Sequence, residues 1–335
     1  MEVNDFYSSN TYIYLPTRSN PKVILSIDNS SISENAFKLY NPFSKKAKLF
    51  KSAMNILYTK FNFFTKLILS EEKNQSEFID YLEKKLNTKL IVSIYLATLK
   101  DKIVLQLQDK KSSIIGYLKF PLNDIGLKHI QNEIDALEIL SKKNIVDSTI
   151  LVDKYQGNPF ILLKEIDGSI GIVERSNLDI ILNKLKRTQS YLLSNHPRII
   201  EVKERLRKHN LNSYIAIINN IKKISSYQYQ LVYEHGDFTP WNIVKTKKEF
   251  IAFDYEYFLK DGLEYLDLIK YYYQVGKLLN SLNNNELISF IKENITIQEI
   301  EFLLKIFLIK EILKNTEESE DFSFEKNILE LLEKK

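Results

Sequence analysis

The chain has 335 residues and a net charge of +4, from 47 Lys and Arg against 43 Asp and Glu. That length suits one large domain or two moderate ones, and the small excess of base is not the clustered kind that nucleic-acid binding needs. The absence of cysteine excludes disulfides, thiolate metal sites and cysteine nucleophiles, and fits a cytoplasmic location. The first twenty residues lack a basic region followed by an apolar core, so no signal peptide is expected. No apolar run approaches the ~18 residues of a membrane span, which leaves peripheral contact as the form a membrane association would take.

Residues 1–88 read as an N-terminal extension. "TYIYLP" and "KVILSID" have strand character, and "ENAFKLY" is a third strand candidate. "SKKAKLFKSAMNILYTKF" and "SEFIDYLEKKLN" carry apolar residues at helical spacing. Residues 89–167 then read β-β-β-α-β-β. The strands are "KLIVSIYLA", "KIVLQLQ", "SSIIGYLKF", "STILVDKY" and "PFILLKEI", and the helix is "LKHIQNEIDALEILSKK". Residues 168–335 turn mostly helical. "NLDIILNKLKRTQSYLL", "LNSYIAIINNIKKISSY", "LEYLDLIKYYYQVGKLL", "NELISFIKEN" and "IQEIEFLLKIFLIKEILKN" are the helices expected before a charged linker and a short final helix. The fold class is α+β, a small β-rich part followed by a larger helical one, and ligand sites commonly lie between such halves.

One stretch interrupts the helices. In "YEHGDFTPWNIVKTKKEFIAFDYEY", "WNIVK" and "EFIAFD" read as strands and "TKKE" as their turn. A turn centred on Lys247 and Lys248 puts Asn242 opposite Phe253, one position from Asp254. An amide oxygen beside a carboxylate is a hard-oxygen site that suits Mg²⁺ with substrate phosphates completing the shell. A carboxylate after the apolar "FIAF" is costly to bury without a partner, and a divalent cation is a good one. Asp237, in the loop before Asn242, is placed to accept a proton from a substrate hydroxyl.

"HGDFTPWNI" followed by "AFDYEY" resembles the paired signature of the aminoglycoside phosphotransferase and choline kinase superfamily. The resemblance covers residues 89–335 and implies a protein-kinase-like two-lobed fold. It also implies Mg²⁺-dependent transfer of the γ-phosphoryl group of ATP, or GTP, to an alcohol group of a small molecule. By that resemblance Asp237 is the catalytic base, His235 braces its loop, and Asn242 and Asp254 hold the metal. Asp267 in "YLDLIKYY" takes a supporting place, and Glu256 matches the acid that follows the metal-binding Asp. Lys119, at the end of the third β-run, fills the place of the phosphate-binding lysine, with Glu133 of the next helix as its partner. Lys164, Glu165 and Ile166 fall where the backbone contacts adenine.

Two features depart from the pattern. Glycine is absent from residues 1–115, so the hairpin that usually covers the phosphates offers only Thr98 as a small polar turn residue. The cluster "DYEYFLKDGLEYLD" could hold a cationic acceptor on Tyr255 and Tyr257, or simply begin a solvated helix. Residues 1–88 weakly resemble the N-terminal parts of proteins encoded with bacterial surface-polysaccharide genes. The expected acceptor is therefore a sugar or glycolipid hydroxyl. An aminoglycoside- or choline-type kinase and a non-catalytic pseudokinase scaffold are the alternatives.

Overall fold

A computed structural model describes residues 1–40, 42, 45–61, 70–96 and 101–334. Thr98 lies outside the described residues, as do its neighbours at 97, 99 and 100. The chain divides into two compact units, Met1–Ile166 and Asp167–Lys335.

The first unit is built on one eight-stranded sheet. Its strands are β1 (Asn10–Pro16), β2 (Pro21–Ser26), β3 (Glu71–Lys73), β4 (Ile91–Leu96), β5 (Lys102–Gln108), β6 (Ile114–Pro121), β7 (Thr149–Tyr155) and β8 (Asn158–Leu163), in the order β3-β1-β2-β4-β5-β6-β8-β7. Pairing of β2 with β4, Val23 against Tyr95 and Ile24 against Ile94, carries the sheet across residues 88 and 89 without a break. Alternation of side chains along a strand splits the core in two. Tyr12 and Ile24 join one cluster with Phe6, Phe78, Phe120 and Phe160. Ile13, Leu15, Val23 and Leu25 join another with Phe37 and Tyr58. In the first cluster Phe78 packs edge-on against Phe6, Phe120 and Phe160 at centroid distances of 5.5, 5.2 and 5.7 Å, the arrangement aromatic quadrupoles favour.

The α-helices among the described residues of this unit are α1 (Ser30–Ala36), α2 (Lys45–Lys60), α3 (Glu77–Leu86) and α4 (Asp124–Lys142). "ENAFKLY" is not a strand: Asn29 caps α1 by accepting from Ile32 N–H, and the helix runs on into a 3₁₀ turn, Phe37–Leu39. An N-cap of this kind decides the matter locally. The predicted β-β-β-α-β-β order is observed as β4 to β8 around α4, whose cap Asn123 accepts from Gly126 N–H.

The second unit holds α5 (Arg175–Lys184), α6 (Pro197–Lys208), α7 (Asn212–Ile224), α8 (Leu266–Gln274), α9 (Asn284–Asn294), α10 (Ile300–Glu317) and α11 (Ser323–Glu333). Two small sheets accompany them. One orders β10 (Lys186–Leu192), β11 (Gln228–Glu234) and β14 (Leu259–Leu263); the other orders β13 (Phe250–Ala252), β12 (Ile243–Lys245) and β9 (Ser169–Ile170). The helix expected over "NLDIILNKLKRTQSYLL" stops at Lys184, because residues 186–192 find an antiparallel partner in β11, with Ser190 opposite Gln230 and Tyr191 opposite Tyr229. Such long-range pairing overrides local propensity. No helix among the described residues is long and apolar enough to cross a membrane.

Candidate functional site

The site in the second unit begins where β11 ends. Gly236 has φ +79°, and a Cβ there would stand 2.1 Å from the carbonyl oxygen of Tyr257. Only glycine meets both conditions. The turn aims two successive amides at one side chain: His235 N–H donates to Asp267 Oδ2 (2.7 Å) and Gly236 N–H to Asp267 Oδ1 (3.0 Å). Asp267, in the first turn of α8, is buried. Burial and the neighbouring Glu234 push its carboxyl up to about 7, against the two amides that favour the anion. Glu234 forms a buried ion pair with Lys310 of α10, whose positive charge works to lower the Asp267 carboxyl.

His235 is fully buried, and burial lowers its pKa. Its Nδ1 accepts from Asp237 N–H (3.3 Å), and its Nε2 lies 2.9 Å from the Phe253 carbonyl oxygen. Those partners select the neutral tautomer with the proton on Nε2. One imidazole thus ties the Asp237 loop to the end of β13. The β12–β13 ladder fixes the other side. Ile243 pairs with Ala252 and Val244 with Ile251, and Phe253 N–H donates to the Asn242 carbonyl oxygen (3.0 Å). Asn242 is therefore opposite Phe253, as the turn predicts, with Asp254 next in the chain. Asp254 has φ +68°, a left-handed conformation that Asp tolerates at a cost of order 1 kcal/mol.

Asn242 closes the arrangement. Its Nδ2 donates to both the backbone oxygen and the Oδ2 of Asp237, each at 2.9 Å, which orients the carboxylate and leaves the amide oxygen Oδ1 over. The Asp237 side chain is 22% exposed, and Lys270 Nζ of α8 stands 3.7 Å from its Oδ1. Lys270 also donates to Glu311 Oε2 of α10 at 2.6 Å. Burial works to raise the Glu311 carboxyl and to lower the Lys270 ammonium. Their mutual attraction outweighs it, holding Glu311 down at about 2 and Lys270 above its usual range. Lys314, one turn on, places Nζ 3.3 Å from the centre of the Tyr257 ring. Burial and the nearby Lys270 lower its pKa.

The other expected positions fall as follows. Tyr255 is buried with its ring 4.4 Å from the His235 ring, and Glu256 lies in the turn after Asp254. The segment after Tyr257 is the strand β14, not a helix start. In the first unit, Lys119 of β6 donates to both oxygens of Glu133 of α4, at 2.7 Å each, with residue exposures of 8% and 1%. Lys164 N–H donates to the Ser148 carbonyl oxygen (2.7 Å), and its ammonium pairs with Asp147 (2.9 Å). Glu165 lies 3.8 Å from Lys38, and Ile166 ends the unit.

Sequence reasoning missed Lys270, Glu311 and Lys314. For Lys270 a signal exists, since it lies three residues after Asp267 on the same helical face. Glu311, 41 residues from Lys270, has none. Among the described residues no group of three or more His, Cys, Asp and Glu side chains is arranged to hold a metal ion. The hard-oxygen pair of Asn242 and Asp254 would supply two donors and leave the rest to phosphate and water.

No family description matches the chain, and no curated protein matches it. Among solved structures, the chain is similar to a choline kinase from Streptococcus pneumoniae, at 14% identity and TM-score 0.46 over 77% of this chain and 98% of that one. It is similar to an ethanolamine kinase from Plasmodium vivax, at 14% identity and TM-score 0.41 over 91% and 94% of the two chains. A spectinomycin phosphotransferase in its AMP-bound complex is similar at 11% identity and TM-score 0.44, over 76% and 94%.

Proposed function

We propose that this chain is a kinase that moves the γ-phosphoryl group of ATP, or of GTP, to a hydroxyl of a small molecule. The observation that carries the reading is the double tether of the Asp237 loop. His235 joins it to Phe253, and Asn242 joins the Asp237 carboxylate to the start of β12. A base, an amide oxygen and a second carboxylate are thereby held within one turn and one hairpin. Asn242 and Asp254 would hold Mg²⁺, which neutralises charge on the phosphates when bound. Asp237 takes the proton of the acceptor hydroxyl as its oxygen bonds to the γ-phosphorus and the bond to the leaving nucleoside diphosphate breaks. Lys119, oriented by Glu133, is the phosphate-binding cation of the first unit.

The surroundings of Asp237 favour a sugar or glycolipid hydroxyl over a cationic acceptor. Lys270 lies beside it, and Lys314 is close enough to feel its charge. The aromatic faces that a choline or an amine would use are engaged, Tyr257 by Lys314 and Tyr255 by His235. The test is transfer of radiolabelled γ-phosphate from Mg·ATP to a panel of sugars, amino alcohols and aminoglycosides, with Asp237→Asn as control. Labelling of sugars is expected, and labelling of amines alone overturns the acceptor assignment. No transfer, together with no rise in melting temperature on adding Mg·ATP, would make the chain a non-catalytic scaffold, the reading that its glycine-free first hairpin favours. Saturating nucleotide at a hundred times Kd should stabilise by ~2.7 kcal/mol.

A further inference from the structure

Among the described residues, helix α2 packs one apolar side on the sheet and shows a second that is largely exposed. Tyr58, 2% exposed, and Met54 pack against Ile13, Leu15 and Val23 of the sheet. The adjoining face presents Leu49 (74% exposed), Phe50 (47%), Ile56 (52%) and Leu57 (37%), with Phe61 (54%) just past the helix end. The spacing i, i+1, i+7, i+8 puts the four helical residues on one stripe. A soluble chain scatters single exposed apolar residues, but a contiguous stripe of large ones marks a surface made for contact. The charge of the helix is as one-sided as its apolar face. Its sixteen residues, KKAKLFKSAMNILYTK, contain five lysines and no acid, within a chain whose net charge is only +4. Lys46, Lys48 and Lys60 are exposed alongside the stripe.

We infer that α2 docks this protein on an anionic lipid bilayer. Leu49, Phe50, Ile56, Leu57 and Phe61 enter the boundary between headgroups and acyl chains, and the lysines reach lipid phosphates. A second copy of the chain fits this face poorly, because a self-complementary contact would bring the exposed Lys46, Lys48 and Lys60 of both copies together. The inference is independent of the chemistry proposed for Asp237. It concerns where the protein works, and an acceptor held in a membrane would be delivered to such a surface.

The test is co-sedimentation of the full chain with vesicles of phosphatidylcholine mixed with phosphatidylglycerol, against vesicles of phosphatidylcholine alone. Binding to the anionic vesicles is expected, with weakening as salt rises. The double variant Leu49→Glu with Phe50→Glu should lower the partition coefficient about 10-fold or more. Lys46→Glu with Lys48→Glu should do likewise and leaves the apolar stripe intact should the first variant misfold. Leu278→Glu, at an exposed leucine of the second unit, should bind as wild type does. Failure to sediment with anionic vesicles, or equal binding to neutral ones, overturns the inference. So does a wild-type dimer in light scattering that the Leu49 and Phe50 variant converts to monomer.

Discussion

Two buried lysines, one in each unit, are held by carboxylates in different ways. Lys119 takes both oxygens of Glu133 at 2.7 Å, so that acid is wholly committed to one ammonium. Lys270 is divided: Glu311 has it at 2.6 Å, and Asp237 stands off at 3.7 Å with its side chain 22% exposed. The first arrangement fixes a cation in space. The second leaves an anion oriented but only half engaged, which is the condition a proton acceptor needs. A neighbouring cation that gripped Asp237 as Lys119 grips Glu133 would stabilise the carboxylate and weaken it as a base.

Asp237→Asn should separate the two most sharply. The amide is nearly the same shape, so the melting temperature should stay close to wild type while turnover falls ~10²–10⁴-fold in a γ-phosphate transfer assay. Unchanged turnover would remove Asp237 from the chemistry. Next in size, Lys119→Met leaves Glu133 buried without its ammonium and should cost ~3–5 kcal/mol in urea unfolding, whereas Lys119→Met with Glu133→Leu should recover most of that loss. If the double variant is no more stable than the single one, Glu133 is not what makes the lysine necessary. Lys270→Met should cost less, ~2 kcal/mol, because Lys310 and Lys314 still attract Glu311. A loss equal to that of Lys119→Met would erase the distinction drawn between the two pairs.

The smallest effect concerns charge that the fold refuses altogether. His196 is buried at the start of α6, where its Nδ1 accepts from Arg198 N–H, and burial pushes its pKa down to about 4. The unfolded chain takes up that proton near the ordinary histidine value of ~6.5. The unfolded state therefore binds more protons below ~6.5, and stability drops as pH falls from ~6.5 toward 4. His196→Asn keeps a capping side chain but cannot titrate. Its unfolding free energy should fall less than that of wild type between pH 7 and pH 5, by a difference on the order of 1 kcal/mol in urea unfolding. Parallel curves would mean that His196 is solvated in the folded state.

Much of the site was legible because its parts are close in the chain. The turn at Lys247 and Lys248 sets the β12–β13 register, and the register alone puts Asn242 opposite Phe253. Lys119 and Glu133 were readable as a strand followed at once by a helix. The order β-β-β-α-β-β survived for the same reason. What failed was decided elsewhere. Residues 186–192 have helical spacing, but β11, some forty residues on, claims them as a strand. "ENAFKLY" looks extended until Asn29 is recognised as a cap. The lysines of α8 and α10 that surround Asp237 come from helices whose mutual packing no local pattern encodes.

The unbroken sheet of the first unit sets a limit on how the chain can be cut. A fragment beginning at residue 89 would lose β2 and leave one side of β4 with open amides and carbonyls. It would also lose Phe6, Tyr12 and Phe78 from around Phe120 and Phe160. Bare strand edges recruit other edges, so such a fragment should run as soluble oligomers or precipitate in gel filtration. The opening residues thus act as the sheet's selvedge, woven in and keeping it from unravelling.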